Sequence, residues 1–292
     1  MLKDIIGLIV TVLAMGTVSE RAKRIAEEIE KRTACEHYRL VLNEACEPKI
    51  TGSKIGGRPY WPADKDYPID ARGKKMLMLM QVNCAEAGLK APLPEEGILQ
   101  WFVSVDPELM YGCRGNFDDN GNGIAIVYHE TIVDSVPLLD IPTHDRVDEM
   151  FTPVKREVAI DVLAEQTAMG VSDGRFNGLF FDIVKEITGV EHTDKMWYQY
   201  LDNDDCLYFE QNLGMKRPRH QMLGYPFYSQ DEARRDMEHY DTLLFQLDSQ
   251  YSAIDRKDLV MWGDMGSGYI FINHDDLAAR NFSHPYYCWD CG

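Results

Sequence analysis

Two strand-like blocks on either side of a helical stretch, residues 153–213, constrain the fold of this chain most strongly. Residues 79–83 and 244–248 are hydrophobic runs with a central Gln and a final Asn or Asp. Each is followed by a loop and by a second run entered through Gly, at residues 97–102 and 268–272. Because strands and helices fall in separate blocks, the sequence predicts an α+β fold with largely antiparallel β-sheets. The likeness also predicts a pseudo-repeat of two strand blocks, with chance similarity as the alternative.

The spacing of apolar residues assigns the other elements. It predicts strands at residues 75–83, 97–105, 124–130, 242–249, 259–262 and 269–273. It predicts helices at residues 18–45, 158–169, 176–187 and 194–201. A capping-box pattern at residues 229–232 predicts one more helix, which ends near residue 240.

An apolar run at residues 2–15 is the only candidate membrane or export segment in the sequence. It is too short to cross a bilayer, and it lacks the basic start and the cleavage site of a signal peptide. Its helical spacing predicts a helix packed on the body of the protein, with no membrane span. We therefore divide the chain into an N-terminal helical segment, residues 1–47, and an α+β domain, residues 48–292.

Charge and cysteine content limit the location and the partners. Lysine and arginine total 30 against 48 acidic residues, which gives a net charge of −18. Such a chain repels phosphates unless its basic residues cluster, so we predict no nucleic-acid partner. The 7 cysteines are an odd number scattered through a long chain, which predicts reduced thiols and a cytoplasmic location.

The segment of residues 51–62, TGSKIGGRPYWP, is the first candidate site. Its glycines let the backbone approach a ligand, and Lys54 and Arg58 supply positive charge in an acidic protein. Tyr60 provides an aromatic ring for stacking. The alternative is a structural loop whose glycines make turns and whose aromatic residues cap a core.

Two further groups complete the set of candidate ligand-binding residues. Gln81 and Gln246 occupy the centres of the two similar strands, and Asp264 lies in a Gly-rich turn between two predicted strands. A carboxylate in such a turn can act as a base or bind a ligand, although turn aspartates usually bond their own backbone.

Other motifs favour structural roles. Residues 118–123 resemble a calcium loop, but a strand follows where a helix is required, so we predict a hairpin turn. Cys288 and Cys291 form a single C-x-x-C without a second half, so we predict no metal site. His129 and Glu130 are adjacent in a predicted strand and therefore point to opposite faces. The sequence contains no recognisable catalytic constellation or cofactor motif, and we predict no cofactor.

Six ordered blocks together resemble the YwqG-like family, a bacterial domain of unknown function. The blocks lie at residues 53–60, 79–83, 94–102, 128–130, 262–266 and 287–291, so the likeness covers about residues 48–291. The resemblance implies a cytosolic α+β protein with no assigned reaction or cofactor, and some members are encoded among toxin and immunity genes. The apolar run at residues 2–15 is longer than the resemblance leads us to expect.

Two functional hypotheses follow. The first is a non-catalytic binding or interaction protein, whose acidic surface and aromatic loops suit a basic protein partner, as in immunity proteins. The second is an enzyme that acts on a small polar or anionic substrate, held by Lys54 and Arg58 with Asp264 or Glu130 as base. The second hypothesis requires these side chains to share one pocket. The sequence does not predict an oligomeric state.

Overall fold

The computed structural model describes residues 18–113, 123–134, 140–214, 220–230, 232, 234 and 236–292. The predicted apolar helix at residues 2–15 and the loop at 118–122 lie outside the described residues. The chain divides into two compact units. One comprises Met1–Cys35 and Gln166–Lys216, and the other comprises Glu36–Glu165 and Arg217–Gly292.

The helices and the strands are numbered separately, each in chain order. The helices are α1 (Glu20–Thr33), α2 (Phe176–Thr188), α3 (Trp197–Tyr200), α4 (Asn203–Asn212) and α5 (His274–Ala278), with a 3-10 turn at Glu149–Phe151. The first six strands are β1 (Cys35–Asn43), β2 (Lys54–Ile55), β3 (Leu77–Asn83), β4 (Ile98–Val103), β5 (Ile124–His129) and β6 (Val158–Thr167). The other six are β7 (His220–Leu223), β8 (Thr242–Asp248), β9 (Gln250–Tyr251), β10 (Asp258–Val260), β11 (Ser267–Ile272) and β12 (Tyr286–Asp290). Within the described ranges, every helix is too short or too polar to span a lipid bilayer.

These elements confirm a mixed α+β fold dominated by a largely antiparallel sheet. The predicted strands in both blocks form, as β3, β4, β5, β8, β10 and β11, and the predicted helix at residues 176–187 is α2. Only a short part of the predicted helix at residues 194–201 is helical, as α3.

Two predicted helices are wrong because strand pairing overrides the local pattern. The predicted helix at residues 158–169 is instead the strand β6 (Val158–Thr167), in which the β-branched residues at alternate positions suit an extended chain. Ala159 of β6 pairs with Lys54 of β2. The helix predicted over residues 18–45 ends at Thr33, and β1 follows with alternating burial. Local helical patterns cannot reveal a partner strand that lies far away in the sequence.

The helix predicted after the capping box at residues 229–232 is absent from the described part of residues 229–240. The groups expected to cap it are engaged elsewhere. The Ser229 N–H donates to Asp290 Oδ2 at 2.6 Å, and the Glu232 carboxylate accepts hydrogen bonds from the Arg234 guanidinium at 2.7 and 2.9 Å.

The smaller unit is a helical cluster held by an aromatic core. The rings of Phe176, Phe180 and Phe209 pack within 6.3 Å of one another, between α2 and α4. Ser19 caps α1, and its N–H and hydroxyl both bond the buried Asp205 carboxylate of α4. These contacts join the first and last helices of this unit.

The larger unit contains a ten-stranded sheet with the order β12-β11-β8-β7-β1-β6-β2-β3-β4-β5. Strands β3, β4 and β5 pair antiparallel in succession, and so do β8, β11 and β12. Strands β2 and β7 are short. Lys54 of β2 lies opposite Gln81 of β3, and Gln221 of β7 lies opposite Gln246 of β8.

Each glutamine fastens the loop that follows the short strand. Gln81 Oε1 accepts the Tyr60 N–H at 2.8 Å, and Gln246 Oε1 accepts the Phe227 N–H at 3.1 Å. Both glutamine side chains are fully buried. A buried side-chain amide must find partners within the protein, so each loop is held against the face of the sheet.

Each glutamine begins a row of polar side chains that continues onto the next two strands of the sheet. Gln100 lies opposite Gln81 and donates to the Tyr60 carbonyl at 2.9 Å, and its Oε1 lies 3.1 Å from His129 Nε2. In the other row, Tyr269 lies opposite Gln246, with its hydroxyl 2.7 Å from the Phe227 carbonyl oxygen and 3.1 Å from Asp290 Oδ1. We call the first row, Gln81, Gln100 and His129, the amide relay.

Replacing Gln81 or Gln246 with Leu is expected to destabilise the protein. Each change leaves buried backbone groups of a loop without partners, at a cost of about 2–4 kcal/mol in the free energy of unfolding. Urea denaturation measures the loss. The exposed Gln211, changed to Leu, is the control, with an expected change within about 0.5 kcal/mol. Equal effects at the buried and exposed positions would contradict this role.

Burial also makes stability depend on pH through His129. Burial lowers the pKa of His129 to about 4 from its usual 6.5. The unfolded chain therefore binds this proton first as the pH falls, and stability is lost between about pH 6.5 and 4, by up to about 3 kcal/mol. We expect H129Q to show a shallower loss over this window in urea titrations at several pH values. Parallel profiles for the two proteins would refute it.

Candidate functional site

A polar cleft of about 510 Å³ lies beside β2 and contains two of the predicted ligand-binding residues, Lys54 and Arg58. Its lining combines the start of the glycine loop with two segments that follow in the sequence. The lining residues are Pro48, Ile50, Lys54, Gly57, Arg58, Thr143, His144, Asp145, Arg146 and Glu157. We call this space the β2 cleft.

Lys54 is the most deeply buried cation of the β2 cleft, with only 2% of its side chain exposed. Its ammonium lies 2.8 Å from Glu157 Oε1, and that carboxylate is 37% exposed. Burying a lysine is costly unless its charge is paired, so Glu157 is required to hold Lys54 in place. The pair places one fixed positive and one accessible negative group at the cleft wall.

The paired glycines allow this packing. Gly57 has a φ of +69°, and a Cβ at this position would lie 2.1 Å from Glu157 Cδ. Gly56 has a φ of +61°, and its Cβ would lie 2.8 Å from the Arg156 carbonyl oxygen. The two glycines therefore allow the loop to pack closely against residues 156–157. This is a structural role, the alternative to ligand binding that the sequence left open for this loop.

His144 offers a hydrogen-bond donor at the β2 cleft. The Gly57 N–H donates to His144 Nδ1 at 3.1 Å, and burial lowers the pKa of this imidazole. The ring is therefore neutral at pH 7, and its proton is on Nε2. Beside it, the Thr143 hydroxyl donates to Asp145 at 2.6 Å and lowers the pKa of that carboxyl.

The β2 cleft therefore concentrates donors and positive charge. Lys54, Arg58 and Arg146 are its three cations, and they outnumber its carboxylates, Asp145 and Glu157. Guanidinium groups bind carboxylate and phosphate oxygens in pairs, which suits a small anionic ligand. Across the described part of the chain, no three His, Cys, Asp or Glu side chains form a group suited to a metal ion.

The other predicted ligand-binding residues lie elsewhere. Tyr60 is buried, and its hydroxyl lies 3.2 Å from the Val133 carbonyl oxygen. Gln81 and Gln246 are buried beneath their loops and do not line the β2 cleft. Asp264 is an exposed turn residue whose carbonyl accepts the Gly292 N–H, and it does not line the cleft either. The cleft thus brings together only Lys54 and Arg58 from the predicted set.

Four chemically important lining residues were missed by the sequence reasoning: His144, Asp145, Arg146 and Glu157. His144 is 87 residues from its partner Gly57, and Glu157 is 103 residues from Lys54. The run Thr143–Arg146 is polar and follows a proline, a local pattern that most surface loops share. The only available signal was the Gly-Gly pair, which indicated that some backbone or side chain approaches closely.

The C-terminal C-x-x-C motif lies in and just after β12. Cys288 is fully buried, and burial raises the pKa of its thiol. A thiol held in this protonated form is a poor nucleophile and a poor metal ligand. Trp289 is buried against Tyr111, with the ring centroids 5.0 Å apart, which anchors the end of the chain.

The role of Gly57 can be tested with a matched glycine. Gly88 has a φ of +62° with no atoms near its missing Cβ, so G88A reports the backbone strain alone, about 1 kcal/mol. G57A is expected to cost about 1–2 kcal/mol more, because the Glu157 carboxylate must move away. Thermal and urea unfolding measure both. The excess should disappear when both alanine variants are made in an E157A background, and an excess that persists there would refute the contact.

Comparison with known families shows what the chain is similar to. A family model described as Domain of unknown function (DUF1963) matches residues 53–291. No curated protein matches the chain. The match supports the sequence resemblance at the level of a domain of unknown function, and the YwqG-like assignment stays a prediction. The matched range contains Lys54, Arg58 and the whole polar row of each half of the sheet. The chain belongs to the DUF1963 family.

Proposed function

We propose that this protein is a non-catalytic binding protein and that its β2 cleft takes a small polar ligand with an anionic group. The observation that carries the proposal is the concentration of Lys54, Arg58 and Arg146 in one cleft of a chain with a net charge of −18. Most of the surface of such a chain repels anions. A cleft in which cations outnumber carboxylates is therefore distinctive.

The orientation of the donors supports an anion over a cation. Lys54 is held by Glu157, and His144 presents Nε2–H because Nδ1 accepts from Gly57. A fixed donor needs no rearrangement when the ligand binds, which lowers the cost of binding. Glu130 and Asp264, the bases considered for an enzyme, do not line this cleft. The enzymatic hypothesis therefore lacks its proposed base at the site of its proposed cations.

We also propose that the sheet is an internal pseudo-repeat of two five-stranded halves. Support comes from the equivalent strand order and from the matching bonds of Gln81 and Gln246. The positive φ values of Gly57 and Gly224, 69° and 71°, occur at equivalent positions of the two loops. Gly97 and Gly266 add further support, because a Cβ on either would meet a backbone carbonyl, of His129 or Asp290.

The repeat separates structural positions from specialised ones. Gln81 and Gln246 hold the same kind of loop, so their shared chemistry is explained by the fold. By the strand register and the loop bonds, Lys54 corresponds to Gln221, and Arg58 corresponds to Tyr225. The cations are thus specific to one half, where the fold itself does not require them. This difference supports a binding role for that half.

Titration of the protein with inorganic phosphate, and separately with malonate, tests the proposal. Isothermal calorimetry should show saturable binding that weakens as salt rises, because screening reduces the attraction. R58M should weaken the affinity by about tenfold or more, which is about 1.4 kcal/mol. K74M is the control, because Lys74 is exposed and lies outside the cleft.

Circular dichroism must first show that R58M folds like the parent protein. No saturable binding of either anion, or equal affinities for R58M and K74M, would overturn the proposal. The cytoplasmic location and a basic protein partner remain predictions. Association with such a partner would be salt-dependent but would not respond to R58M alone.

A further inference from the structure

A second polar cavity, of about 660 Å³, lies at the end of β5. None of its lining residues lines the β2 cleft. The residues are Pro62, Asp64, Lys65, Tyr128, His129, Glu130, Thr131, Val133 and Arg280. Contrary to the expectation from strand alternation, both His129 and Glu130 line this space, because β5 ends at His129 and Glu130 lies beyond the strand. We call this space the His129 cavity.

The amide relay fixes which nitrogen of His129 carries the proton. Gln81 Nε2 donates to the carbonyls of Ile50 and Gly52 at 2.9 and 2.8 Å, so its Oε1 is the atom that accepts from Gln100 Nε2 at 2.8 Å. Gln100 then presents Oε1 to His129 Nε2 at 3.1 Å. A carbonyl oxygen can only accept a hydrogen bond, so the Gln100 Oε1 must accept one from His129. His129 Nε2 therefore carries the proton.

His129 Nδ1 is consequently an acceptor. Among the described residues it has no hydrogen-bond partner, although only 6% of the residue is exposed and its ring lines the cavity. An acceptor on a residue that lines a cavity, with no hydrogen bond inside the protein, is available to a ligand. A ligand that donates a hydrogen bond would satisfy it.

The equivalent position in the other half of the sheet is fully used by the fold. Asp290 lies at the end of the second polar row, where it accepts the N–H groups of Ser229 and Ser267 at 2.6 and 3.2 Å. It also contacts the Tyr269 hydroxyl at 3.1 Å. Both of its oxygens are therefore engaged, whereas the corresponding histidine leaves one ring nitrogen open. The fold therefore makes no use of that open atom.

The charges of the His129 cavity are of both signs. Lys65 and Glu130 are exposed, and no described residue forms an ion pair with either of them. The Arg280 guanidinium donates to the carbonyls of Pro92, Leu93 and Leu277, so it is held in place by neutral groups. Two cations whose charge is not neutralised by an ion pair thus share the cavity with two carboxylates, Asp64 and Glu130, and a neutral acceptor.

We propose that the His129 cavity binds a small zwitterion, a free amino acid, with its ammonium group on His129 Nδ1 and Glu130 and its carboxylate near Lys65 and Arg280. An ammonium group supplies a hydrogen-bond donor to Nδ1 and a positively charged partner to the Glu130 carboxylate. A carboxylate supplies the partner for the two cations. A simple anion or a simple cation would satisfy only one side of the cavity. This site is independent of the β2 cleft.

The test uses the full chain with ¹⁵N-labelled histidine, observed by NMR. In the free protein, His129 must show a protonated Nε2 and an unprotonated Nδ1, and the opposite tautomer would overturn the proposal. Each standard L-amino acid is then titrated in turn, with acetate and methylammonium as single-charge probes. At least one amino acid should move the His129 Nδ1 resonance in a saturable manner, and at lower concentration than either single-charge probe.

Two exposed positions provide variants that leave the amide relay intact. K65M and E130Q should each weaken the binding of that amino acid by about tenfold or more. K74M, outside the cavity, should leave it unchanged. No saturable shift with any amino acid, or no difference between K65M and K74M, would overturn the proposal. R58M, which tests the β2 cleft, should not affect this resonance, so the two sites can fail separately.

Discussion

Two buried side-chain amides, those of Gln81 and Gln246, impose the constraint on which the larger unit depends. A primary amide enclosed in a sheet must find donors and acceptors inside the protein, and each of these obtains them from a loop backbone. The loops after β2 and β7 are consequently fixed on the sheet. The β2 cleft follows from this constraint, because Lys54 and Arg58 lie just before the bonded Tyr60 N–H.

In His129 and His144, the hydrogen-bond partner of one ring nitrogen determines whether the other nitrogen is a donor or an acceptor. His144 accepts a backbone N–H at Nδ1 and therefore offers a donor, whereas His129 donates from Nε2 and therefore offers an acceptor. Burial lowers the pKa of both, so neither role requires a charged ring at pH 7. The same residue type thus gives one space suited to anions and another suited to a group that carries hydrogen-bond donors.

The candidate sites were predictable only where the sequence itself carried an anomaly. Lys54 and Arg58 stood out because positive charge next to a Gly-Gly pair is unusual in an acidic chain, and both line the cleft. Gln81 and Gln246 stood out because each is a polar residue at the centre of an apolar strand, yet both are buried beneath loops. A central glutamine in an apolar strand looks identical in sequence whether it serves a ligand or a loop, because only the neighbouring backbone differs.

The sequence by itself determined the strand blocks, the helix α2 and the acidic character, because these depend on local periodicity and composition. The tertiary structure decided that residues 158–167 form a strand paired with β2. It likewise decided that residues 35–43, predicted as helix, form a strand of the sheet. It also decided that His144 and Glu157 meet the glycine loop. The reason is physical: pairing energies and buried contacts join residues that are about a hundred positions apart, and no local pattern records them.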